Sequence, residues 1–434
     1  MNAVDWTTAL LYAVPLLGAM SIYLYRRARF ERHSQQVIER VIEAGLTEPP
    51  SLHPVIDPAV CVGSGICTRV CPEKALGIVD GKAVLANPSA CIGHGACAAS
   101  CPIDAITLVF GTERRGIDIP YVKPTFETNV PGIYIAGELG GMGLIGKSAE
   151  QGRQAVDEVV RSGRRGEALD LVIVGAGPAG LAATLTATDR GLRAVTIEQE
   201  DSLGGTVYHY PRHKVAMTHP LDLPLVGKVR LGEIRKEALL EFWQGIVDRT
   251  GMEIRFGERL EAIEAGDDGY RLSTSRGALE APNVVLAIGR RGSPRKLGVS
   301  GEELPQVVYR LVDAEQYRGR AVLVVGGGDS AIEAALALAE QPDTTVALSY
   351  RSEAFSRAKP KNRDAIAAAG AAGRVQVLLQ TDVVAIEAGR VHLRGAQGEF
   401  EFAGEAVIVC AGGILPMGML KDIGIMVETK YGTA

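Results

Sequence analysis

Apolar positions along the chain fall into blocks, and the character of the blocks changes partway. Residues 6–25 form a single apolar block without a charge. About 20 helical residues span a bilayer core, so this block reads as a transmembrane helix. Trp6 at one end and Tyr23 and Tyr25 at the other sit where aromatic rings favour the membrane interface. Arg26, Arg27, Arg29 and Arg32 follow at once, whereas the first five residues hold no Lys or Arg. That asymmetry puts the N-terminus outside and everything after it in the cytoplasm, as a single-pass inner-membrane protein. A cleaved signal peptide would carry its positive charge before the apolar run, and a buried helix is the other alternative. Pro15 would kink a membrane helix without forbidding it. Farther along, short apolar runs end in glycines or turns, at 171–174, 195–198, 284–289, 322–325, 346–350 and 406–410. Runs of this length with no polar alternation read as buried strands of parallel sheets, with helices between them.

The 434 residues exceed one ordinary core and suit about three domains. A net charge of -5 without basic runs leaves no electrostatic footprint for nucleic acid. Abundant glycine (52 residues) with ordinary charge fits dinucleotide binding and argues against disorder. The pattern divides the chain into an anchor (1–27), a linker (28–55), a cysteine-rich domain (56–110) and a connecting segment (111–165). Two nucleotide-binding stretches (169–297 and 298–405) and a return segment (406–434) complete it.

Six of the seven cysteines lie between Cys61 and Cys101, a distribution that reads as metal ligands rather than a secreted disulfide scaffold. They form two repeats of equal spacing, Cys61-x5-Cys67-x3-Cys71-Pro72 and Cys91-x5-Cys97-x3-Cys101-Pro102. Each resembles the bacterial dicluster ferredoxin run, which binds two [4Fe–4S] clusters and sends its last cysteine to the other cluster. A zinc site is the alternative. Both repeats depart from the family at the second cysteine, where Ser64 and His94 stand. The resemblance implies one cluster on Cys61, Cys67 and Cys101 with Ser64 at its fourth corner. The other would use Cys91, Cys97 and Cys71 with His94. A neutral imidazole in place of a thiolate would raise that cluster's potential. Serine is a poor ligand for soft iron, so a [3Fe–4S] cluster or an open iron site is an alternative at Ser64.

Residues 171–180 run from a strand into Gly175-Ala-Gly177-Pro-Ala-Gly180, and Glu198 closes the following strand. The glycines admit a pyrophosphate to the helix N-terminus, and the acid can hold a ribose hydroxyl. Gly204, Gly205 and Thr206 follow in the run LGGT, as in the flavoprotein family that includes thioredoxin and glutathione reductases. A second loop, Gly326-Gly-Gly328-Asp329-Ser330-Ala-Ile-Glu333, resembles the NAD(P)H half of the same family. Arg351 closes its second strand, with Arg357 and Lys359 beyond. Arginines there accept a 2′-phosphate, which favours NADPH over NADH.

The family's T-x-VPGIYAxGD segment is missing after 406–416 and stands upstream instead, from Thr125 through Gly137 and Glu138. The resemblance therefore implies a circularly permuted flavoprotein, which is reasonable because domain termini often lie close together. Glu138 takes the place of the aspartate that holds the ribitol chain, Gly289 ends the first nucleotide segment, and a helix near Lys147 would aim its positive end at the flavin. The family's reactive cysteine pair is absent, since the loop after LGGT reads Val207-Tyr208-His209-Tyr210-Pro211 and the remaining Cys410 lies in an apolar run as an inert core thiol. That loop resembles the disulfide-free ferredoxin–NADP reductases, in which an aromatic residue covers the flavin. Tyr208 or Tyr210 would then cover it and His209 would supply a proton, with plain loop packing as the alternative.

The resulting expectation is an α/β protein with FAD and NAD(P)H domains of Rossmann type, a small α+β ferredoxin-like domain and one membrane helix. It would pass electrons between NAD(P)H, FAD and two iron–sulfur clusters. The partner, at the level of sequence, is open among a membrane cytochrome, a quinone-linked complex and a ferredoxin, and a homodimer is expected only from resemblance. Alternatives are an electron-supplying subunit like the small subunit of glutamate synthase, a ferredoxin–NADP reductase running towards NADP⁺, a bacillithiol-type disulfide reductase and a non-enzymatic redox sensor.

Overall fold

The computed structural model describes residues 6–43, 46–49, 52–141, 143–210, 214–218, 220–266, 269–290, 292–355 and 358–432. The chain divides into two units, Met1–Gly116 with Tyr431–Ala434, and Ile117–Lys430.

The first unit begins with helix α1, Trp6–Glu43. The described side chains of its apolar half are mostly exposed, Leu11 and Tyr12 at 69% and 71%. Among the described residues no helix is long and apolar enough to cross a membrane. The expectations for residues 1–5 and for the Trp6 ring lie outside the described residues. The helix does not stop at the arginines, so 28–43 is not the expected linker. What continues it is packing against the cysteine-rich fold. That fold runs β1 (His53–Ile56), α2 (Ile66–Val70), β2 (Leu76–Val79), β3 (Lys82–Leu85), α3 (Ala96–Ala99) and β4 (Ile106–Val109). Ser34 of α1 is buried and accepts a hydrogen bond from the Ile78 amide at 3.2 Å. Gly77 makes room for it, since a Cβ there would lie 2.7 Å from the serine side chain. The strands pair antiparallel, β1 with β4 and β2 with β3, so each cysteine repeat joins the two hairpin-like pairs.

The second unit opens with β5 (Ile117–Pro120), β6 (Ile133–Ile135) and α4 (Ile145–Ser162). Next come β7 (Leu171–Val174), α5 (Pro178–Asp189), β8 (Ala194–Glu198) and α6 (Lys236–Thr250). A parallel sheet of five strands has the order Ile254–Phe256, β8, β7, Val284–Leu286, β6. Its edge strand β6 is therefore supplied from upstream of the other four. The end of the unit returns to the same place, because Val427–Lys430 pairs antiparallel with β5. These two pairings are what a circular permutation requires. α4 lies on α5 through Ala155, Val156 and Val159 against Ala179, Ala183 and Ala187, all of them buried. A second parallel sheet has the order Val307–Val308, Ala406–Val409, Ala321–Val325, Thr345–Tyr350, Gln376–Leu379. α7 (Asp329–Ala339) and α8 (Pro360–Ala371) belong to it. In each half a three-stranded antiparallel sheet, Leu260–Ala281 or Asp382–Phe402, stands where a crossover helix would otherwise be.

Candidate functional site

In the first unit Cys61, Cys67, Cys91 and Cys97 are buried, with Cys71 and Cys101 half-buried. A cavity is lined by Cys71, Cys91, Cys97 and His94, together with Pro54, Leu76 and Leu108. Cys71 comes from the first repeat and the other three ligand candidates from the second, so one of the two cross-over sets that the resemblance implies shares a cavity. Backbone amides point at sulfur: Ala75 to Cys71 (3.4 Å), Ala105 to Cys101 (3.3 Å), and Gly63 and Ala83 to Cys61 (3.4 and 3.5 Å). Such donors stabilise thiolates and raise cluster potentials. Burial pushes the Cys67, Cys91 and Cys97 thiols up, and neighbouring cysteines add to this, so the groups gain strongly from a cation that takes their protons' place. Among the described residues no three His, Cys, Asp or Glu converge on a point that one metal ion would fill. A donor set spread around a cavity fits a multi-iron cluster better than the zinc alternative. The two departures from the repeat part company here, for His94 lines the cavity while Ser64 is exposed.

In the second unit the glycines of the first nucleotide loop are required by contact. A Cβ on Gly180 would lie 1.7 Å from the Gly175 carbonyl oxygen, and one on Gly205 would lie 3.1 Å from the Gly177 Cα. The Gly204 amide donates to the Ala176 carbonyl at 2.9 Å, which ties the LGGT turn to that loop. Glu198 is buried at the end of β8 and accepts from the Ala176 and Glu200 amides at 2.7 and 3.0 Å. Burial pushes its carboxyl up despite those two donors. The upstream segment reaches the same cradle, because a Cβ on Gly289 would lie 3.7 Å from Glu138 Oε2 and 3.9 Å from Thr206 Oγ1. Gly137 donates to Gln151 Oε1 at 2.9 Å. Lys147 is exposed in the first turn of α4. Arg290 was not singled out from the sequence, although it directly follows Gly289. Its Nη2 donates to the Asp118 carbonyl at 2.9 Å, and its Nη1 is buried with no hydrogen-bond partner among the described residues. Burial lowers its pKa, against the pull of Glu138. A buried guanidinium nitrogen seeking an acceptor beside a glycine-lined cradle fits an anionic, oxygen-rich cofactor such as FAD.

The second nucleotide loop is built alike. Gly326 has φ 144° and a Cβ there would lie 2.4 Å from the Cys410 carbonyl oxygen. Cys410 is half-buried one residue past the strand Ala406–Val409, not inside it. Gly328 has open space at its Cβ position. Asp329 accepts from the Lys359 amide (2.8 Å) and from Asn362 (2.7 Å), and Glu333 accepts from Asn362 (3.2 Å) and Lys214 (3.1 Å). Both acids are thus held at the start of α8, and Glu333 also by a loop of the first nucleotide half, contacts the motif alone does not announce. Ser330 and Arg351 are exposed, Arg351 just past the strand Thr345–Tyr350, and Arg357 lies outside the described residues.

The loop after LGGT gathers positive charge. Lys236 sits 5.6 Å over the Tyr208 ring and donates to the Tyr210 carbonyl at 2.7 Å, while Lys214 lies 5.2 Å over the Tyr210 ring. Burial lowers the Lys236 pKa. His209 Nδ1 accepts from Arg310 at 2.7 Å, and its Nε2 lies 3.7 Å from Glu200. The histidine expected as a proton donor is therefore held between an arginine and a carboxylate.

Comparison with known proteins agrees with this geometry. Residues 172–433 match the family model described as pyridine nucleotide-disulphide oxidoreductase, and residues 53–102 match a 4Fe-4S dicluster domain. A ferredoxin–NADP reductase of Thermus thermophilus is 30% identical over 275 residues, covering 60% of this chain and 77% of that protein. One from Ignicoccus hospitalis is 35% identical over 189 residues, covering 43% of this chain and 57% of that enzyme, little more than half its length. A solved bacillithiol disulfide reductase from Bacillus cereus superposes with a TM-score of 0.53 at 23% identity, covering 59% of this chain and 82% of that one. That likeness concerns the fold alone.

Proposed function

Because the chain belongs to the pyridine nucleotide-disulphide oxidoreductase family and carries a 4Fe–4S domain fused ahead of it, we propose that it exchanges electrons between NADPH and two iron–sulfur clusters through FAD. The observation that carries this reading is the distribution of cysteine. The flavoprotein unit has one cysteine, Cys410, which cannot form the dithiol pair of a disulfide reductase within that unit, and the other six sit in the 4Fe–4S domain. Electrons taken from a nicotinamide then have the clusters as their outlet. Bound FAD supplies the exchange between a two-electron hydride step and single-electron steps. The chain's own residues hold and orient it: the Gly175–Gly180 loop and the α5 N-terminus receive the pyrophosphate, Glu198 the ribose, and Glu138 the ribitol chain. Arg290 offers a donor to the same cofactor. Exposed Arg351 supports NADPH over NADH, since a guanidinium pairs with a 2′-phosphate in two-pronged fashion.

We also propose that α1 is a membrane anchor. That reading is carried by the sequence of residues 6–25 and not by the described helix, which is not long and apolar enough to cross a membrane. Its large apolar side chains from Leu10 to Tyr25 are exposed, and the basic cluster Arg26, Arg27, Arg29 and Arg32 follows. In this reading the clusters lie on the cytoplasmic side of the inner membrane and serve a membrane cytochrome, a quinone-linked complex or a soluble ferredoxin. A second reading, flow towards NADP⁺, is favoured by the similarity to ferredoxin–NADP reductases.

Anaerobic titration with NADPH and separately with NADH, following flavin absorbance and cluster EPR together, tests the proposal. Flavin bleaching followed by cluster signals, at lower NADPH than NADH, is the expected result. Bleaching with both clusters silent would overturn the outward flow and leave the NADP⁺-reducing direction. Flotation of the full chain with vesicles, lost on deleting residues 1–25, tests the anchor.

A further inference from the structure

The two cysteine repeats of the first unit are related by a shift of 30 residues, which carries Cys61 to Cys91 and the amide donor Ala75 to Ala105. Among the corresponding pairs that differ in charge, one meets a ligand cysteine directly. Lys82 at the start of β3 corresponds to Leu52 just before β1. Lys82 Nζ donates to the carbonyl oxygen of Cys61 at 2.6 Å, and the next residue, Ala83, donates its amide to Cys61 Sγ at 3.5 Å. In the second half the Leu52 carbonyl stands 3.9 Å from Cys91 Sγ, and leucine takes the place of the lysine.

The position of Lys82 is set from α1. The Gly81 amide donates to Glu31 Oε1 at 3.2 Å, fixing the tight turn at Asp80 and Gly81, both at positive φ (48° and 70°). The Gly81 carbonyl oxygen lies against Gly63, where a Cβ would be 1.8 Å away, and the Gly63 amide donates to Cys61 Sγ. A line of direct contacts thus runs from Glu31 through the turn to both the Cys61 loop and Lys82.

We propose that Lys82 is a positioning and charge-tuning residue for the cluster of Cys61, Cys67 and Cys101, and that Glu31 seats it there. This rests on the two-cluster reading above. Reduction adds one negative charge to a cluster, and a cation held beside a ligand residue in a partly buried site stabilises that charge. The cluster of the Cys61 half therefore takes its electron at a higher potential than its ligand loop alone would set. The cluster of the Cys91 half has no such cation at Leu52 and is tuned by other means, including His94. Because α1 is one helix from the exposed apolar block to Glu31, the segment proposed as the anchor and the seat of Lys82 belong to the same element. The cluster addressed by that element is the one in the Cys61 half.

The test is an EPR-monitored redox titration of the full-length holoprotein with Lys82→Met, Lys82→Arg, Glu31→Ala and Glu31→Gln. Lys82→Met should lower the potential of one cluster signal and leave the other in place, and Lys82→Arg should restore it. The displaced signal should be the one lost in Cys61→Ser. Glu31→Ala should move the same signal in the same direction, whereas Glu31→Gln, which keeps an acceptor for Gly81, should stay near the parent. Lys82→Met moving neither signal, or both equally, overturns the inference, as does a shift that arginine does not rescue. A merely structural role would show as cluster loss, read separately from iron and sulfide content. A parent protein with a single cluster signal, insensitive to Cys61→Ser, would sink the two-cluster reading itself.

Discussion

Replacing Gly152 by alanine tests the step on which the flavoprotein fold depends, the seating of an upstream helix on the nucleotide-binding helix. Gly152 lies in α4, and a Cβ there would stand 2.0 Å from the carbonyl oxygen of Ala179, 2.8 Å from its carbon and 3.1 Å from its Cα. Those atoms are backbone in the first turn of α5, so no side chain can swing aside. Bringing the closest pair out to a barely tolerable 3.0 Å needs a movement of about 1 Å, and overpacking of this kind costs about 1–3 kcal/mol. The upper end applies to rigid backbone, and alanine's better helix propensity returns about 1 kcal/mol. The net loss is about 2 kcal/mol, which for a unit the size of Ile117–Lys430 corresponds to a midpoint lower by roughly 3 °C. In the proposed reading the displaced turn is also the one whose amides receive the pyrophosphate, so flavin retention should fall together with stability. The assay is the flavin-to-protein absorbance ratio after purification, with flavin fluorescence during a thermal ramp. Gly245→Ala is the control, because that glycine is inside α6 with open space at its Cβ position, and the change should stabilise by about 0.5–1 kcal/mol. Full flavin content and an unchanged midpoint in Gly152→Ala would refute the contact, and with it the idea that α4 completes the FAD fold from upstream.

Other substitutions probe the remaining parts. Arg351→Ala should raise the KM for NADPH by about 10–100-fold, the worth of a charge-assisted contact of 1.5–3 kcal/mol, while leaving that for NADH nearly constant; equal losses for both would remove the 2′-phosphate role. In His94→Cys the added thiolate should lower the potential of the Cys91 cluster and alter its EPR spectrum, and an unchanged potential and spectrum would sink the ligand assignment. Glu302 accepts hydrogen bonds from the Leu297 and Gly298 amides at 2.5 and 2.8 Å and from Tyr309 at 2.9 Å. Burial opposes its charge, but those donors hold its carboxyl below the usual range, and burial with the same bond pushes the Tyr309 hydroxyl up to about 12. Glu302→Gln should cost about 1.5–3 kcal/mol at neutral pH. The gap from the parent should be full above the ordinary carboxylate pKa of about 4.3 and close as pH falls through the lowered native value; a gap independent of pH would contradict this origin.

Much of this protein is written in local sequence. Short apolar runs and the glycines after them announced the parallel strands at 171–174, 284–286 and 322–325, because burial on both faces and close backbone approach are needs of each residue by itself. The cysteine repeats were legible because ligand spacing within each is set by a few bonds of chain, whereas their cross-over grouping was implied only by resemblance to dicluster ferredoxins. Even the displaced T-x-VPGIY segment was legible, since its motif travels with it, and β6 does take the sheet edge. What tertiary structure alone decided are partnerships between distant residues. α1 runs on through the expected linker because Ser34 and Glu31 meet β2 and the turn at Gly81. His209 meets Arg310, Lys214 meets Glu333, and Arg290 reaches Asp118, pairs separated by 101, 119 and 172 residues. His94 lines a cavity while Ser64, its counterpart in the repeat, is exposed. Periodicity records which face of an element is buried, but not what lies across from it. That is settled only when the chain closes long loops and the elements dock.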